Sequence, residues 1–131
     1  MRNSLIAAVI SLSTLAFSQP VKADSNLLYT SAYKLISTSE NDYFKNREFR
    51  AYTLKWLGQD KGYPHKVAIL FCDSKRLGWS TSQIVEISYD QLVQRKNLEG
   101  WSESRFDAYR RIVVAGMSVG KEHYCPEFLG N

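Results

Sequence analysis

Along residues 24–131 apolar side chains recur at intervals of three and four, the spacing of one face of a helix. Leu28, Ala32, Leu35 and Ile36 form one stripe behind the cap candidates Asp24 and Ser25, which predicts a first helix over about 25–38, ended by Ser37-Thr38-Ser39. A second helix is predicted from Asn41 or Asp42 to Leu57, with Phe49, Tyr52, Trp56 and Leu57 on one side and Gly58 placed to terminate it. Gly62-Tyr63-Pro64 then forms a turn, and Pro64 suits the first position of a third helix, where its missing N–H costs nothing. That helix runs to Leu77, with Gly78 as its stop. Its interior, Val67-Ala68-Ile69-Leu70-Phe71-Cys72, is apolar all round, so it is expected at the centre.

Ser80 or Thr81 can cap a fourth helix reaching about Lys96, with Gln83 where a capping box wants it. Here Val85, Ile87 and Tyr89 also alternate as a strand would. In the last element, from about 103 to 124, Phe106, Tyr109, Val113, Gly116, Gly120 and Tyr124 share a face opposite Asp107, Arg110, Arg111, Ser118, Lys121 and Glu122. Glycines four apart on that face allow another backbone to approach, and the third helix is the expected neighbour.

Residues 1–23 follow a different pattern. Arg2, an apolar run from Leu5 to Phe17, Pro20 and then Val21-Lys22-Ala23 have the layout of a secretory signal peptide, with cleavage expected after Ala23. The competing reading, a retained anchor, meets a run shorter than the about 20 residues that span a bilayer. No cysteine lies in or just after this segment to accept a lipid. The expected product, residues 24–131, is one domain that is exported to the periplasm or secreted, with no stable membrane span.

Removing Arg2 and Lys22 leaves 15 basic against 13 acidic residues, so the net charge falls from +4 to +2. Opposite charges are interspersed, as in Arg47-Glu48 and Asp107-Arg110, and no footprint for nucleic acid emerges.

Export also sets the chemistry of the only two cysteines, Cys72 and Cys125. An even count in an oxidising compartment makes a structural disulfide the expectation. Closing a loop of about 54 residues stabilises a fold by roughly 4 kcal/mol on the chain-entropy model.

Catalytic chemistry is thinly represented. His65 and His123 are the only histidines, no Gly-x-Ser-x-Gly elbow occurs, and both thiols are assigned to the bridge. Neither histidine falls in a recognised metal-ligand spacing, and there is no phosphate-cradling or dinucleotide glycine loop. No catalytic, cofactor or metal residues are therefore assigned, and the chain is expected not to be an enzyme. The aromatics are more suggestive. Trp79 and Trp101 each follow a glycine at the edge of a predicted helix, where a ring either anchors a partner or fills the core of a small domain.

Cys72-x5-Gly78-Trp79-Ser80, followed by an amphipathic helix ending Tyr124-Cys125-Pro126, resembles the small exported bacterial proteins of domain-of-unknown-function family 732. That resemblance covers about residues 49–128 and implies a helical domain whose two cysteines pair. Gly78, Ser80 and Gln83 also resemble the turn of periplasmic immunity proteins of the Rap and Tai type, which implies protection against a peptidoglycan amidase. The expectation is an all-α bundle of four to five helices held by one disulfide. Its function is expected to be binding of a protein or envelope component through a surface, with an immunity protein or an uncatalogued hydrolase as alternatives.

Overall fold

The computed structural model describes residues 24–130, so the expected leader, residues 1–23, lies outside the described residues. Six α-helices and a closing 3-10 turn make up this part of the chain: α1 Ser25–Thr38, α2 Asp42–Lys45, α3 Arg47–Gln59, α4 Tyr63–Arg76, α5 Thr81–Glu99, α6 Glu103–His123 and the turn Pro126–Phe128. No strand occurs among the described residues.

Most helix starts are set by side-chain caps. Asp24, Asn41, Asn46, Ser80 and Ser102 each accept a hydrogen bond from a backbone N–H of the first turn, satisfying donors that have no partner inside the helix. The Ser80 and Gln83 capping box forms as expected, with both reciprocal bonds present. Gly78, at φ +91°, closes α4: its N–H donates to Lys75 O and that of Trp79 to Ser74 O, the paired bonds of a left-handed helix stop.

The segment 41–59 departs from expectation. In place of one helix ended by Gly58, the chain breaks at Asn46, whose side chain accepts from Phe49 N–H at 3.1 Å and starts a new helix. Asparagine competes for its own backbone in this way and so favours a cap over a helix interior. Gly58 lies exposed within α3, which continues to Gln59.

The expected strand-or-helix ambiguity over Val85, Ile87 and Tyr89 resolves as helix. Ile84, Ile87, Ser88 and Leu92 are buried on one face of α5. Val85, Tyr89 and Val93 form a second apolar stripe beside it, and two neighbouring stripes read as alternation.

α6 is the central element, packed against α4, α3, α1 and α5. Its tightest contact is with α4, at the two expected glycines. A Cβ on Gly116 would lie 3.0 Å from Val67 Cβ, and one on Gly120 would lie 2.7 Å from Ala68 Cβ. Cys72 of α4 and Cys125, just beyond α6, form a disulfide across this contact, with Cα atoms 5.7 Å apart and both residues buried. Phe71, Ile112, Val113, Leu28, Ile36 and Leu57 complete the core.

Candidate functional site

Both histidines tie helices together. His65, in the first turn of α4, shares a 2.7 Å hydrogen bond between its Nδ1 and the Tyr124 hydroxyl at the end of α6. Burial holds the His65 imidazole below its usual pKa and pushes the Tyr124 phenol up to about 12. His123 Nε2 lies 3.2 Å from Ser31 Oγ of α1. The Asp24 carboxylate lies near the His65 and Tyr124 pair and raises the His65 pKa against the larger effect of burial.

Trp101 turns out to be a core residue, 6 % exposed. It stacks on Tyr109 at 4.4 Å between ring centroids, and its Nε1–H donates to Glu99 at 3.1 Å. The Arg105 guanidinium is sandwiched between Trp56, 3.9 Å from that ring's centroid, and Trp101, at 4.5 Å. Arg95 lies 4.8 Å from the Trp101 centroid and also pairs with Glu99 and Asp60. The Trp101 N–H first, and then Arg95, hold the Glu99 carboxyl below the usual carboxylate range. These ring, guanidinium and ion-pair contacts fasten α3, α5 and α6, with Trp101 buried between them. Trp79 is partly buried and packs against the core.

A different face leaves large side chains uncovered. Phe49 of α3 is 49 % exposed, Val93 of α5 is 42 % exposed and Tyr43 of α2 is 37 % exposed. Phe49 and Tyr43 belong to one strip, continuous through ring and guanidinium contacts, and Val93 lies one helical turn beyond Tyr89 of that strip. Arg111 lies 4.4 Å from the Phe49 centroid and 5.6 Å from that of Tyr43, and its Nε donates to Tyr43 O at 3.2 Å. Tyr43 meets the Tyr89 hydroxyl of α5, and burial first, then that hydroxyl, push its phenol pKa up to about 12. Arg110 lies 5.1 Å from the Tyr89 centroid and 5.7 Å from that of Phe106. Lys96 then approaches Phe106 and pairs with Glu103. Aromatic rings and arginines, with apolar neighbours, are the side chains enriched where proteins meet proteins.

By sequence alone Arg110 and Arg111 fall on a solvated face and Phe49 on a core stripe. The strand-like alternation at Val85 to Tyr89 is the one trace of the strip along the chain. The helix interiors explain why it was missed: a face is completed by residues from four helices, and their meeting is a tertiary fact.

The motif residues behind the family resemblances have structural roles here. Gly78 stops α4, Ser80 and Gln83 start α5, and Cys125 closes the bridge. A scan against protein-family models, a search of curated proteins and a search of solved structures each found no match. Among the described residues there is no group of three His, Cys, Asp or Glu placed to hold a metal ion, and no helix long and apolar enough to cross a membrane.

Proposed function

We propose that this chain is an exported, disulfide-tied helical domain that binds a protein of the cell envelope through the strip formed by Tyr43, Phe49, Tyr89, Val93, Phe106, Arg110 and Arg111, and that it carries out no catalysis. The observation that supports the reading most is the exposure of Phe49, Val93 and Tyr43 on a rigid frame of helices, where each ring is already held by a guanidinium or a second ring. Pre-ordered aromatics lose little conformational freedom on docking, so more of their buried area appears as affinity. Both histidines hydrogen-bond across helices, to Tyr124 and to Ser31, which speaks against a histidine-based hydrolase.

An inhibitor of a cell-wall hydrolase, as in the immunity proteins the turn resembles, is a more particular form of the same reading. It is favoured by the placement of that turn: Gly78, Ser80 and Gln83 set the start of α5, the helix that contributes Tyr89 and Val93.

The test is affinity capture from envelope extract with the purified protein and with the Phe49→Ser, Val93→Ser double variant. Both changes are at exposed positions, so the variant is expected to melt within a few degrees of the parent. A partner retained by the parent and lost by the variant supports the reading. Equal capture by the two overturns it.

A further inference from the structure

Arg110 stands at the middle of the strip and is the least satisfied of its cations. Its side chain is 40 % exposed, and its carboxylate partner among the described residues is Asp107, with Nη1 3.4 Å from Oδ1 one turn away on α6. A charge-assisted hydrogen bond of good geometry is about 2.7–2.9 Å long, so this contact is loose. The Nε of Arg110 is buried with no hydrogen-bond partner among the described residues. Tyr89 and Phe106 lie against the guanidinium and restrain its plane. The other cations beside it are differently placed: Arg111 is nearly buried and donates to Tyr43 O, while Lys96 is paired with Glu103. The outer Nη groups of this planar fork, framed by rings and held among the described residues only by the loose Asp107 contact, are matched by a carboxylate with apolar groups on either side.

We infer that the partner presents to Arg110 an Asp or Glu carboxylate, flanked by apolar side chains of which one covers Val93 and another Phe49. This rests on the strip being the interface. The incoming carboxylate displaces Asp107, which is itself half-exposed and free to turn to water. Local competition from Asp107 sets the affinity, and the rings on either side set the direction of approach.

Random short peptides displayed on phage, selected on the purified disulfide-bonded protein and then titrated calorimetrically, test the inference. Selected peptides are expected to carry Asp or Glu next to Leu or an aromatic residue. Arg110→Met is expected to raise their Kd about tenfold, the effect of removing an interface anchor. Asp107→Asn removes the competitor and is expected to lower Kd about threefold, a gain that a merely structural role for Arg110 does not produce. Lys66→Met, on α4, is expected to leave Kd unchanged. Circular dichroism melts of each variant show that the fold is retained. Peptides that lose binding with Phe49→Ser or Val93→Ser, yet lack acids and ignore Arg110→Met, overturn carboxylate recognition and leave the strip standing. Binders indifferent to every strip change, or no binders, overturn both.

Discussion

Gly120 of α6 rests directly on Ala68 of α4: a methyl group on the glycine would sit 2.7 Å from the Ala68 Cβ and 2.9 Å from its Cα. Because the second of these atoms belongs to the backbone, no rotamer change relieves the overlap, and the two helices must separate. Gly120→Ala is expected to destabilise the protein by about 1–3 kcal/mol, the usual range for overpacking. Gly58→Ala, in the open on α3, meets nothing within 4 Å and is expected to stabilise by about 0.4–1 kcal/mol through the unfolded chain. Urea unfolding of the two variants beside the parent checks both signs.

The same helix pair carries the disulfide, which joins segments 53 positions apart in sequence. A Cys72→Ala, Cys125→Ala variant is expected to lose about 2–5 kcal/mol. Native material is expected to begin at Asp24 and to show no free thiol by intact mass with and without alkylation. An intact leader or two free thiols contradicts export.

Arg105 fastens α6 to α3 through Trp56 and to the stack through Trp101. Replacing it with Met keeps the apolar stem and removes the cation, and about 1–2 kcal/mol of stability is expected to go with it. Lys, which keeps charge without the planar face, is expected to recover only part. Thermal melts of the two variants, with Trp fluorescence as the readout of the stack, distinguish these outcomes.

His65 gives the fold a pH dependence. Burial lowers its folded pKa below that of the unfolded chain, so as pH falls the unfolded chain takes up the proton first. Stability is therefore complete above about pH 6.5, the pKa of an unperturbed imidazole, and declines as pH drops through that value. The depressed carboxyls Glu99 and Glu127 act in the same direction at lower pH. His65→Gln is expected to flatten the melting temperature between about pH 7 and pH 5 while leaving the acid limb below it.

Much of the fold is legible in the chain because its signals are local. Ser80 with Gln83, Pro64 after Gly62, and Gly78 each declare a boundary through their own hydrogen bonds or backbone angles, and the five predicted helices end within three residues of observed helix ends. Gly116 and Gly120 also point to the helix they touch, since a close approach demands residues without side chains on one face. Asn46 does not stand out in the sequence because the stripe of Phe49, Tyr52 and Trp56 reads as continuous with what precedes it, and a cap inside an apolar pattern leaves no gap. The face proposed for binding is less legible. Trp101 reads as either an anchor or a core ring when only its neighbours in sequence are known, and Tyr109, Arg95 and Arg105 come together to cover it. Phe49 has the opposite history: on a stripe that predicts burial, it is left outside because α3 turns its Thr53 and Leu57 inward.

If the strip, and no other face, meets the partner, crosslinks form from the strip alone. Site-specific photo-crosslinking in living cells tests it most directly, with the photoreactive residue placed at Val93 in one strain and at exposed Lys34 of α1 in another. The expected result is a discrete protein adduct from position 93 that Arg110→Met diminishes, and none from position 34. Adducts from position 34 alone, or equal adducts from both, contradict the account.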